Sequence, residues 1–331
     1  MPRHHKLWLF CVAGPLIWVL VGYLPMGRAA DDPARVGDGR NLVGADLRNK
    51  ALAGANFDRA ALTGANLSGA DLHGASFKGA DLREAYLRDV NARGADFTDA
   101  TLAAADLTRA DLRGSRLDSA DLSAAKLDSA RLDDASLRSA FLPGASLMRA
   151  QLPRAHLDGA MLAGANLTQT VLQRAVLANA DLGAATLGQQ GPSPAILVGA
   201  DLRQTDLTRA NLVSVNMREA DLEDATLIGA QLGHANLSWA RARHADLSHA
   251  NLSWSQLYGA DFQKARFIGA QLTQTQCEGA NFAGADFSDA LLDNTNLNQT
   301  TMTAAVVSNA KIEHVLANGV INPPDILRQA Q

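Results

Sequence analysis

Large rings are scarce in this chain. Only 5% of its 331 residues are Phe, Trp or Tyr, and only two are cysteine. So few aromatics exclude one large ring-filled core, and the 47% apolar share, mostly Ala and Leu, also argues against disorder. Many small, near-identical packing units remain. Cys11 lies in an apolar N-terminal stretch, which leaves Cys277 alone downstream and excludes an intramolecular disulfide there. Phe10 precedes Cys11 where a lipoprotein signal needs a small residue. Charge is also sparse, at 19% with a net of -4. Residues 1–29 hold Arg3, Lys6 and Arg28 and no acid, so the remainder carries 27 basic against 34 acidic residues. Nothing provides the concentrated basic charge that grips a phosphate backbone, and a nucleic-acid partner is not expected.

The N-terminus reads as an export signal. Arg3, His4, His5 and Lys6 precede an apolar run from Leu7 to Leu24, and Gly27-Arg28-Ala29 places small residues where a signal peptidase cuts. Cleavage is expected after Ala29. The alternative is an uncleaved membrane anchor, since the run is just long enough to span a bilayer. Both place the rest of the chain in the periplasm or outside the cell, with inner-membrane anchoring in the second case.

From residue 42 to about 312 the chain repeats every five residues without losing phase, as in Ala65-Asn66-Leu67-Ser68-Gly69 followed by Ala70-Asp71-Leu72-His73-Gly74. With the Ala as position one, position three falls on numbers ending in 2 or 7. It is apolar at all of about 55 sites except Pro192. On an α-helix five residues advance a side chain by roughly 500°, so the leucines would spiral around every face. On a flat strand they would alternate sides. A corner once per repeat removes the conflict: positions one and three point inward, and positions four and five turn the corner. Gly is frequent at position five, where the turn needs unusual dihedrals.

These A-[D/N]-L-x-x repeats resemble the pentapeptide-repeat family. The resemblance implies an all-β fold, a right-handed quadrilateral β-helix with four pentapeptides per coil, here about fourteen coils preceded by the N-terminal signal or anchor helix. The aromatics supply a check, because residues one coil apart stack vertically. Phe57, Phe77 and Phe97 are spaced by twenty, as are Phe262 and Phe282, and Phe267 and Phe287. The expected organisation is 1–29 signal peptide or anchor, 30–41 N-terminal cap, 42–187 first solenoid segment, 188–196 a distorted corner or loop, 197–314 second segment, and 315–331 C-terminal cap. In the cap Asn322-Pro323-Pro324-Asp325 starts a short helix carrying Ile326 and Leu327. Leu187 and Leu197 stay in phase across the interruption, which favours a distorted corner over a protruding loop.

Catalytic chemistry is not visible. The sequence contains no phosphate loop, nucleophile elbow, zinc-spaced Cys or His pair, or dinucleotide fingerprint, so no catalytic residue, cofactor or metal is assigned and an enzyme is not expected. The candidate partner-binding residues are His234, Trp239, His244, His249, Trp254 and Tyr258. They form a girdle whose His and Trp members all occupy position five, on successive corners that one metal could not collect. Asp181, Asp201 and Asp221, twenty apart, are expected in one acidic line broken at Arg241, each satisfying corner backbone. Arg93 with Arg113, and Arg154 with Arg174, form two short basic columns separated by Asp133 and Asp134. The function expected is an exported, non-enzymatic scaffold or protein-interaction rod for an unknown protein or envelope polymer. The resemblance implies an alternative, a DNA-mimicking topoisomerase-binding protein of the quinolone-protection type. The exposed rings suggest another, cell-wall or carbohydrate binding.

Overall fold

The computed structural model describes residues 39–188 and 194–328. The expected signal or anchor segment, 1–29, lies outside the described residues. No helix among the described residues is long and apolar enough to cross a membrane.

The backbone closes one hydrogen-bonded turn per pentapeptide. The position-one N–H donates to the position-three carbonyl of the preceding unit, as Ala60 does to Phe57 at 3.0 Å. Position five is then the third residue of a turn that requires positive φ. Gly259 adopts 60°, and so do bulky residues such as Trp239 (62°) and Arg109 (60°). Holding a non-glycine residue there costs about 1–2 kcal/mol, which the turn bond and the buried leucine behind it offset.

Three further bonds per unit link coil to coil. Leu62 donates to the Asp81 carbonyl (2.7 Å), Gly64 to Arg83 (2.9 Å) and Ala61 to Arg40 (2.9 Å). The resulting bridges are parallel and twenty residues apart, from Asn41↔Ala61 onward. Four pentapeptides therefore make one coil. Among the described residues only β1 (Leu291–Asp293) and β2 (Lys311–Glu313) lengthen these bridges into a two-stranded parallel sheet.

Positions one and three fill the interior. Among the described residues from Ala55 to Met302 their apolar side chains are essentially inaccessible. The expected ring stacks are present: Phe57–Phe77 at 4.8 Å, Phe77–Phe97 at 4.9 Å, Phe262–Phe282 at 5.7 Å and Phe267–Phe287 at 4.8 Å. Hydroxyls at position one return their proton to the wall, as Thr170 Oγ1 does to the Leu167 carbonyl (2.6 Å) and Thr275 Oγ1 to Leu252 (2.9 Å). The Ser115 and Ser255 hydroxyls are buried without a partner among the described residues. Cys277 is also inward, and burial pushes its thiol pKa far up, which removes the thiolate that reactivity needs.

The structure changes the expected register. Val171 pairs with Ile196 and Asp181 with Asp206, twenty-five positions on, before Ile196↔Asn216 restores a spacing of twenty. The interruption keeps the count by five but adds one pentapeptide to one coil. Ala195 donates to the Leu187 carbonyl (3.3 Å), the bond that residue 190 would make in a regular coil. Asp181 is consequently not in line with Asp201 and Asp221, as equal spacing had implied. The ladder also runs beyond both expected boundaries, since Asn41 pairs with Ala61 and Ile321 with Thr301. After it comes α1 (Asp325–Arg328), whose Leu327 is fully buried.

Candidate functional site: amide and aromatic side chains on the outer wall

Position two faces outward, and its preference for Asp or Asn has a local cause. The position-four N–H points into the corner with no backbone partner, and the position-two side-chain oxygen accepts from it. Ser238 N–H donates to Asn236 Oδ1 (2.9 Å), Ser253 to Asn251 (3.0 Å) and Glu223 to Asp221 (3.2 Å). Asp181, Asp201 and Asp221 all make this bond, which is the structural role expected of them.

Above the register shift, the four position-two columns divide into two kinds. One column runs Asp201, Asp221, Arg241, Asp261 and on to Asn281, Thr301 and Ile321, and its neighbour runs Asp206, Thr226, Asp246, Arg266, Asp286 and on to Val306. Charges interlock there: Arg243–Asp261 at 2.6 Å, Arg266–Asp246 at 2.8 Å, and Arg203–Asp201 at 2.6 Å. The Arg203 guanidinium holds the Asp201 carboxyl below its ordinary pKa. The other two columns are Asn211, Gln231, Asn251, Gln271 and Asn216, Asn236, Gln256, Gln276, Asn296. Over these tiers they carry only carboxamides; the first continues into Leu291 and Lys311, and the second starts at Ile196 and ends at Leu316.

The girdle residues sit on the corners of this region. The His234 and Trp254 rings stack at 6.0 Å and 18° on the corner between the two amide columns. Trp239 occupies the opposite corner of the Asn236–Gln256 face. Both indoles are over half exposed, 59% for Trp239 and 54% for Trp254. The Trp239 ring lies over Gly259, where a Cβ would come within 2.4 Å of it. Beside it a depression of about 430 Å³ is lined by Trp239, Tyr258, Gly259, Glu278, Gly279 and Gln299. His249 lies over Gly269, and His244 Nδ1 is 3.4 Å from Asp224 on the charged side. The structure therefore brings His234 together with Trp254 and Trp239 together with Tyr258. It leaves His244 and His249 on other corners.

Among the described residues one grouping could present metal ligands. Asp293, Glu313 and His314 place three ligand atoms within 4.8 Å on the β1–β2 corner. His314 Nδ1 is 3.0 Å from Asp293 Oδ1; this ion pair raises the His314 pKa and lowers that of Asp293. The basic columns are partly neutralised. Arg93 and Arg113 both contact Asp111, at 2.7 and 2.6 Å, and Arg154 contacts Asp134 at 2.6 Å.

The signature of Pentapeptide repeats matches residues 41–79, 80–118, 115–152, 150–189, 195–233, 235–274 and 280–315, most of the chain. The chain belongs to the pentapeptide-repeat family. No curated protein matches it. Among solved pentapeptide-repeat structures, HetL of the cyanobacterium Nostoc sp., a protein involved in heterocyst differentiation regulation, is 31% identical. That match covers 69% of this chain and 88% of HetL, with a TM-score of 0.30. QnrB1, a plasmid-mediated fluoroquinolone resistance protein, is 17% identical over 55% of this chain and 86% of its own, with a TM-score of 0.27. A pentapeptide-repeat protein of the Arabidopsis thaliana thylakoid lumen is 31% identical over 33% of this chain and 63% of its own, at 0.13.

The amide columns were not among the expected site residues, because carboxamides neither titrate nor stack as rings do. Their signal was present, because Asn216, Asn236, Gln256, Gln276 and Asn296 are spaced by twenty in the sequence.

Proposed function

We propose that this pentapeptide-repeat protein is an exported, non-enzymatic scaffold whose outer faces hold an envelope partner. The observation carrying this reading is the filled interior: inward side chains from Ala55 to Met302 leave no space for a substrate, so recognition falls to the outer wall. That wall repeats its side chains tier by tier, an arrangement suited to extended partners. Export rests on the Arg3-to-Ala29 signal pattern. A DNA mimic would need sustained negative columns, whereas Arg241 and Arg266 interrupt those above the register shift and Arg203 and Arg243 pair with their acids.

Fractionation with N-terminal sequencing tests export: a chain beginning at Ala30 outside the cytoplasm is expected, and an intact Met1 in the soluble cytoplasmic fraction overturns it. Crosslinking in intact cells followed by envelope pull-down tests the scaffold role. A specific partner is expected, and recovery of none overturns the reading.

A further inference from the structure

The geometry points to one docking surface, the face bearing Asn216, Asn236, Gln256, Gln276 and Asn296 between the Trp254 and Trp239 corners, for an extended, uncharged polymer of N-acetylated sugars. This inference deepens the scaffold reading and rests on it.

Charge narrows the occupant first. The Asn216 tier carries Arg218, paired with Glu219 at 3.0 Å, and Asp293 borders the Asn296 tier, but on the three tiers between them, carrying Asn236, Gln256 and Gln276 with their bounding corners, there is no Lys or Arg, and Glu278 is the lone carboxylate. A nucleic acid or acidic chain finds no counter-charge there, and a basic peptide finds almost none. A neutral polymer loses nothing to that absence.

Hydrogen-bonding capacity narrows it further. The oxygens of Asn216 and Asn236 are occupied by corner N–H groups (3.2 and 2.9 Å), so their amide NH₂ groups remain for an outside acceptor. Gln256 is exposed and its side chain makes no hydrogen bond among the described residues, leaving a donor and an acceptor free. An acetamido group is itself a donor and an acceptor, and ring hydroxyls are both. The carboxamides return once per coil, a repeat that a periodic chain can meet and an irregular protein surface cannot.

The glutamines are the independent observation. Asp or Asn at position two caps the corner N–H, but none of Gln231, Gln256, Gln271 and Gln276 does so. Gln231 donates to the Gly229 carbonyl (3.2 Å), and Gln276 donates to the Gln274 carbonyl and accepts from Asn296 Nδ2, both at a long 3.4 Å. Of these glutamines, Gln256 and Gln276 lie on the proposed face, and Gln256 makes neither the cap nor any other side-chain hydrogen bond among the described residues, so its carboxamide is free for an outside partner. The exposed indoles complete the surface, because the C–H face of a sugar ring packs against an indole. Gly259 and Gly279 leave the depression beside Trp239 open.

The test is calorimetric titration of the full protein with chitohexaose, a linear hexamer of N-acetylglucosamine, and with cellohexaose, which lacks the acetamido groups. Saturable chitohexaose binding is expected, with cellohexaose about tenfold weaker or more. Trp239→Ala and Trp254→Ala should each weaken binding by about tenfold. Trp239→Tyr and Trp254→Tyr should retain most of it, and Arg241→Ala on the charged side should leave it unchanged. No binding at millimolar chitohexaose, equal binding of cellohexaose, or full binding by both Trp→Ala variants would overturn the inference. A specific crosslinked partner recovered despite such a failure removes only the sugar assignment. Failure of both experiments removes the scaffold reading as well.

Discussion

Above the register shift, the faces bearing Asp201 and Asp206 and those bearing Asn211 and Asn216 share one backbone ladder and one apolar interior, yet over most tiers their exteriors differ. The first pair interlocks acids with Arg203, Arg243 and Arg266. The second presents amides and rings. Asp and Asn cap the corner N–H equally well, Asp221 at 3.2 Å and Asn216 at 3.2 Å, so folding has no stake in which stands where. The segregation of carboxylates from carboxamides on these tiers is therefore not required by the corner bond.

If that is right, the interior should not distinguish the two sides. Leu257 lies behind the amide face and Leu222 behind the charged one, both fully buried. Each Leu→Ala replacement should cost about 2–5 kcal/mol in equilibrium denaturation, similar to the other. A difference exceeding that spread would mean that the faces differ in packing and not only in surface chemistry.

At position two the expected effects are smaller. Asn236→Ala and Asp221→Ala each strand a corner N–H and should cost about 1 kcal/mol apiece. Gln256→Asn should act oppositely, gaining about 0.5–1 kcal/mol by restoring the missing cap while shortening the reach of the amide. A loss of stability on Gln256→Asn would show that the glutamine serves the fold.

Acid separates the two sides by sign. Asp201, and Asp81 in the lower coils, titrate below the usual carboxylate range, Asp81 at about 2, because hydrogen bonds from Arg203 and Arg83 favour the ionised form. A lowered native pKa means that the folded state binds fewer protons than the unfolded chain. The contribution is fully present above about pH 4 and is lost as pH falls toward 2. Asp81→Asn and Asp201→Asn should each flatten the acid limb of a stability-against-pH curve slightly, since both groups are partly solvated. Carboxamide-to-Ala changes on the amide side should leave its slope untouched.

Much of this was legible in the residues themselves. The five-residue phase compelled a corner per repeat, and the twenty-residue spacing of Phe57, Phe77 and Phe97 agreed with the four-pentapeptide coil that the family resemblance implied. The rest was hidden by a coincidence of period. Five extra residues leave every leucine in phase, so Leu187 and Leu197 could not disclose that the columns had shifted by one face. Asp181 was assigned to the wrong column for that reason. The girdle was visible as rings, but which corners bound a common face depended on the register, and the amide columns drew no notice because carboxamides neither titrate nor bind metal strongly.

The least costly change tests that register directly. Deleting residues 189–193 would bring Gly188, Pro194 and Ala195 into positions four, five and one of a regular unit. Position five needs positive φ, which the proline ring forbids, so the deletion should be combined with Pro194→Gly. Gly188 itself must stay, since a Cβ there would lie 2.2 Å from the Val213 nitrogen. The combined variant should fold within about 0.5 kcal/mol of the parent, because no coil-to-coil pairing outside the excised residues changes. Paired cysteines report the columns: Asp181→Cys with Asp206→Cys should oxidise to a disulfide in both parent and deletion variant, and Asp181→Cys with Asp201→Cys in neither. Crosslinking of the second pair in the parent would restore the single acidic line, move Trp254 and Trp239 relative to the lower coils, and leave the amide face intact, since every rung of that face lies above the shift.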